Sequence, residues 1–95
     1  MEQLTGALRV KIEAIFSIPK TASKKDRELM LNDEIPHTKK PDVDNIAKIC
    51  IDGINGIAFS DDAIINELEI NKRYGENPRV DITIIQKYKD SVEGD

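Results

Sequence analysis

An α+β two-layer sandwich is the fold class this sequence predicts: a small mixed β-sheet with helices packed on one face. Three observations predict it. A stretch near the start alternates apolar and charged residues, two stretches near the end do the same, and two helix-like stretches lie between them. Alternation with a period of two marks a half-buried strand, and recurrence near 3.6 marks a helix. Helices threaded between strands cover the sheet they connect.

Each element has its own signal. From Ala7 to Ser17 the apolar Leu8, Val10, Ile12, Ala14 and Phe16 face one way and Arg9, Lys11 and Glu13 the other, which predicts a strand ended by Pro19. Residues 23–31 have helical composition, with Ser23 as N-cap and Asp26 three positions on. Residues 32–41 form a polar loop holding two prolines. A helix opens at Asp42 or Val43. Val43, Ile46, Ala47, Cys50 and Ile54 make its apolar stripe, Asn45, Lys48, Asp52 and Asn55 its polar one, and Gly53 and Gly56 end it. Residues 57–60 are a short connection. Residues 64–73 and 79–85 alternate again around a turn at residues 74–78, so these two strands are expected to pair as a hairpin. The chain reads as one domain over residues 1–95, with residues 87–95 as a flexible tail and disorder expected from Gln86 onward.

Composition narrows the function. Charged residues are 34% of the chain, hydrophobic residues 39%, and there is no Trp, so the core rests on Ile, Leu and Val. The net charge of −4 argues against a generic nucleic-acid binder. Its distribution qualifies that, because Lys20, Lys24, Lys25, Arg27, Lys39 and Lys40 crowd the segment before the second helix and form a candidate backbone-binding surface. That basic stretch is interleaved with Asp26, Glu28, Asp33 and Glu34, and a solvated face is the competing reading. A lone Cys50 in an apolar run excludes an internal disulfide framework and reads as a buried small hydrophobe. With one His and one Cys there is no zinc set. The absence of a signal peptide or spanning segment leaves the cytoplasm as the expected location, with no membrane partner. His37 reads as a loop residue.

Two acidic clusters carry the chemistry. Asp42 and Asp44 stand at the start of the second helix, and Asp61 and Asp62 follow its end. Residues i and i+2 of extended chain point the same way, so Asp42 and Asp44 can reach one ion, with Asp62 or Asp61 as a third ligand. Hard cations such as magnesium take carboxylate oxygens and keep water positions for a substrate phosphate. Such an ion activates water and offsets charge on phosphoryl oxygens. Lys48, one turn beyond Asp44, is placed to hold the phosphate or stabilise transition-state charge. Plainer readings stand beside this one. Asp42 or Asp44 can be a helix N-cap, Asp44–Lys48 and Lys48–Asp52 can be surface pairs, and Asp61-Asp62 can be a turn. An EF-hand loop fails, because Ala47 stands where it needs Gly and Gly53 where it needs Glu.

The full run of Lys40-Pro41-Asp42-Val43-Asp44-Asn45, Lys48, Asp52-Gly53-Ile54-Asn55-Gly56-Ile57-Ala58 and Asp61-Asp62 resembles the signature of the RusA family of Holliday junction resolvases. The resemblance spans about a quarter of the chain. It implies a homodimeric, magnesium-dependent endodeoxyribonuclease, with manganese as a substitute, that resolves four-way DNA junctions by paired cleavage in recombination and repair. By position it makes Asp42, Asp44, Lys48 and Asp62 catalytic, gives the metal to Asp42, Asp44, Asp62 and Asp61, and makes Asn45 and Asp52 supports. Two departures accompany it. Ile64 stands where family members often carry Gln, and the strand and helix that usually precede Ala7 have no counterpart, so a shortened chain is expected. Two other functions compete: a junction-binding domain that has lost cleavage, and a plain interaction module with surface carboxylates.

Overall fold

The computed structural model describes residues 4–59 and 62–88. Its elements run β1 (Ala7–Ser17), α1 (Lys24–Leu31), α2 (Val43–Ile54), a 3-10 turn (Asp62–Ile64), β2 (Ile65–Gly75) and β3 (Arg79–Tyr88). This is the expected α+β class, with a three-stranded mixed sheet and two helices.

β1 is the centre of the fold because its alternation is the cleanest. Leu8, Val10 and Ile12 are 0% exposed and Ala14 is 1% exposed. Val10, Ile12 and Ala14 form the core with Ile46 of α2, and Phe16, Cys50, Ile65, Ile70 and Ile84 pack against it. Charged residues fill the opposite face. Arg9 pairs with Glu69 at 2.9 Å and Arg73 with Glu13 at 3.5 Å. These are half-exposed pairs, worth on the order of 0–1 kcal/mol each, so burial rather than charge holds the sheet together.

Strand order corrects one expectation. β2 and β3 do not pair as a hairpin; the order is β2-β1-β3. β1 lies between them, parallel to β2 and antiparallel to β3. The local reversal at residues 76–78 is real, but it carries the chain across the end of β1. The physical reason is apolar content. β1 has the most completely buried side chains and takes the position covered from both sides, while β2 and β3, with exposed Leu68, Val80, Ile82 and Ile85, take the edges. The parallel β1–β2 pair needs a long crossover, and α1 and α2 supply it.

Smaller differences follow. Tyr74 and Gly75, read as turn, extend β2 and pair with Phe16 and Ser17. A Cβ on Gly75 would lie 2.6 Å from Ile15 Cγ2, so this close approach requires glycine. Gln86 to Tyr88, read as the start of disorder, belong to β3: Gln86 pairs with Leu8 and donates a side-chain hydrogen bond to the Thr5 carbonyl at 2.8 Å. The rest of the expected tail, residues 89–95, lies outside the described residues. α2 ends one residue past Gly53, at Ile54, and Gly56 takes a φ of 86° in the turn beyond it.

Candidate functional site

α1 begins as its sequence requires: Ser23 Oγ accepts the Asp26 N–H at 3.1 Å. α2 begins differently. Asp42 occupies the N-cap position with extended geometry, φ −70° and ψ 155°, yet its carboxylate makes no capping hydrogen bond. Only its backbone carbonyl joins the helix, accepting from Ile46 N–H at 3.1 Å. Asp44 follows in the first turn, and both residues are exposed. Contrary to the expectation from the sequence, the two do not share one extended stretch, because the helix has already begun at Val43 and residues two apart on a helix do not face each other. The Asp42 and Asp44 carboxylates therefore face water at the positive end of the helix dipole, where negative charge is favoured.

Lys48 is exposed one turn along α2. Among the described residues no ion pair joins it to Asp44 or Asp52, so the surface-pair reading has no contact behind it. Asn45 and Asp52 share this exposed side of α2. Lys20, Lys24, Lys25, Arg27, Lys39 and Lys40 are all exposed, on α1 and the loops flanking it. Among the described residues Arg27 alone of these six has an acidic partner, Glu76 at 4.0 Å. Lys39 and Lys40 lead through Pro41 into Asp42.

Asp62 sits elsewhere. It lines an open hollow with Ile51, Ile65, Asn66, Glu67 and Leu68. Ile51 is about two helical turns from Asp44, so Asp62 stands toward the far end of α2. Among the described residues no three Asp, Glu, His or Cys side chains are gathered around one point. Asp61 lies outside the described residues.

Sequence reasoning passed over Lys72 and read His37 only as a loop residue, yet both pack at the α2 entry. Lys72 of β2 donates hydrogen bonds to the Lys39 carbonyl and, at 2.8 Å, to the Pro41 carbonyl. His37 is buried, stacked on Phe16 with ring centroids 4.0 Å apart and tilted against Tyr74 at 5.0 Å. The loop reading of His37 holds, but the loop is pinned to the sheet. One signal pointed to Lys72: it breaks the apolar face of Leu68, Ile70 and Tyr74 at the strand period. His37 offered no such signal.

Burial lowers the His37 pKa from its ordinary 6.5, and the nearby Lys72 and Lys39 charges lower it further, against a backbone hydrogen bond that raises it. The folded state therefore favours neutral His37. Its contribution is complete above pH 6.5 and is lost as pH falls from there through the folded-state pKa. Chemical denaturation at pH 7.5 and at stepped lower pH should show wild type losing more stability on acidification than His37→Phe. The difference isolates His37 from the carboxylates both proteins share. Equal losses would contradict it.

A family model described as endodeoxyribonuclease RusA matches residues 1–85. The chain belongs to the RusA endodeoxyribonuclease family. It is also 34% identical over 83 residues to an uncharacterized Bacillus subtilis (strain 168) protein, YqaN, covering 85% of this chain and 58% of that protein. The chain thus spans a little over half the length of this curated relative. No solved structure matches it. Within the RusA family frame, the α2 entry tests whether magnesium suits these residues. Its donors are hard oxygens, its Asp42 carboxylate is not spent on capping, and one or two carboxylates with water suffice for magnesium. The Asp42–Asp44 pair fits on that chemistry; a three-carboxylate centre including Asp62 is not assembled in the described residues. Cys50, half-buried against the core with its thiol pKa raised by burial, is structural.

Proposed function

We propose that this chain is a magnesium-dependent endodeoxyribonuclease that resolves four-way DNA junctions by paired phosphodiester cleavage, acting as a homodimer. The observation that carries the proposal is the entry to α2, where an uncapped, exposed Asp42 and Asp44 stand beside Lys48 in a RusA-family chain. Asp42 and Asp44 would hold the ion. Magnesium, when bound, supplies charge against the phosphoryl oxygens. Lys48 would contact the scissile phosphate and stabilise its developing negative charge. Lys39 and Lys40, separated from Asp42 by Pro41, would hold the flanking DNA backbone, with Lys20, Lys24, Lys25 and Arg27 extending that surface. Asp62 and Asp61 enter as further ligands on the motif alone. Two symmetric nicks need two sites, and twofold symmetry is the common way to provide them.

A second reading keeps junction binding and omits cleavage. The position of Asp62, away from the Asp42–Asp44 pair, favours it. A synthetic four-way junction separates the two. Symmetric nicks with magnesium and none with chelator support the nuclease. Retained binding without nicks supports the second reading, and neither binding nor nicks removes both. No helix among the described residues is long and apolar enough to cross a membrane.

A further inference from the structure

We infer that Lys72 is a positioning residue for the proposed metal and DNA site, fixing the backbone on either side of Lys40 so that Asp42 enters α2 in one geometry. The inference rests on the nuclease reading for its purpose, though not for its geometry.

Lys72 pairs in register with Ala14, which is 1% exposed on the core-facing side of β1. Residues directly opposite in a sheet share a face, so Lys72 rises from the apolar side of β2, between Ile70 and Tyr74. A cation there is costly unless its ammonium finds partners. A lysine stem lies readily along apolar surface while its ammonium reaches polar partners. Its ammonium reaches two backbone carbonyls, those of Lys39 and Pro41. No carboxylate among the described residues pairs with it. The charge of Lys72 therefore holds backbone in place rather than neutralising an acid. Pro41 is covalently followed by Asp42, and Lys39 and Pro41 flank Lys40. One side chain on β2 thus sets where a proposed metal ligand and two proposed DNA contacts stand relative to the sheet. His37, stacked on Phe16 and tilted against Tyr74, fastens the same loop two residues before Lys39. With both ends tied, the Asp42 carboxylate is presented with its backbone already ordered, which lowers the cost of binding.

The test uses Lys72→Met, which keeps the stem and removes the donors, and Lys72→Arg, which restores them. Groups that orient metal ligands typically affect metal affinity or activity by about 10–100-fold. Lys72→Met is expected to raise the magnesium concentration for half-maximal junction cleavage by at least about tenfold, with Lys72→Arg returning toward wild type. The same variants are followed by amide NMR without DNA. Lys72→Met should lower the heteronuclear NOE at the amides of Lys39, Lys40 and residues 42–44 and weaken the magnesium-induced shifts of Asp42 and Asp44, while amides of β1 are unchanged. Should Lys72→Met not fold, Lys72→Gln replaces it in both measurements. A variant that loses thermal stability while its magnesium requirement and loop amides match wild type makes Lys72 structural only and overturns the inference. Identical behaviour of the Met and Arg variants overturns it too. If wild type itself fails to cleave, the nuclease reading falls, and the loop amides and magnesium shifts still decide the role of Lys72.

Discussion

Asp44→Asn is expected to reduce magnesium-dependent cleavage of a four-way junction on the order of 10²–10³-fold while leaving the protein folded and able to bind the junction. The size follows from the charge removed. A divalent ion contributes several kcal/mol of transition-state stabilisation, and each 1.36 kcal/mol is a factor of ten in rate. The substitution is nearly isosteric, and Asp44 is exposed in the first turn of α2, so it removes charge without emptying the core. The helix dipole loses one favourable carboxylate, about 0.3–1 kcal/mol, far too little to unfold the domain. Single-turnover cleavage beside the wild type reads the rate, and gel-shift titration in chelator reads the binding. Wild-type rates in the variant would remove Asp44 from the centre.

Ile12→Ala should have the largest effect on stability. Ile12 is 0% exposed in the central strand and packs in the cluster of Val10, Ala14 and Ile46. Truncating such a residue costs about 2–5 kcal/mol, because the cavity collapses only in part. A small domain has about 5–15 kcal/mol in total, so a large share is lost. Urea unfolding should show a midpoint lower by about 1–3 M at unchanged slope. Ile85→Ala, on the opposite and more exposed side of the sheet, is the control and should change stability by about 0.5 kcal/mol or less. If the two variants behave alike, the core has been placed on the wrong side of β1.

The elements were legible where their signals were local. β1 matches its alternation from Ala7 to Ser17, Ser23 caps α1 through Asp26, and α2 starts at Val43 behind Asp42. Strand order was not legible in the same way. The turn signal at residues 76–78 says that the chain reverses, but it does not say whether β3 returns beside β2 or across β1. That choice was made by long-range burial of Leu8, Val10 and Ile12, which no short window contains. The acids at the α2 entry were legible as a local pattern, because the N-cap position of Asp42 and the first-turn position of Asp44 follow from the start of one helix. The place of Asp62 depends on where the chain goes after α2, which is to the 3-10 turn before β2, and no local pattern fixes that course. Lys72 and His37 escaped for a related reason. Each acts on the 37–41 loop from, or against, strands distant in sequence, and only the β1–β2 register brings them together.

In the proposed nuclease, metal binding and cleavage both turn on Asp42, at the N-cap without a capping hydrogen bond. The most direct measurement is a magnesium titration of the isotope-labelled protein, followed through the amides of Asp42, Asp44 and Lys48. Saturable shifts confined to the α2 entry at millimolar magnesium, and absent in Asp44→Asn, are the predicted result. Unmoved signals at Asp42 and Asp44, or shifts that persist unchanged in Asp44→Asn, would contradict a metal centre there.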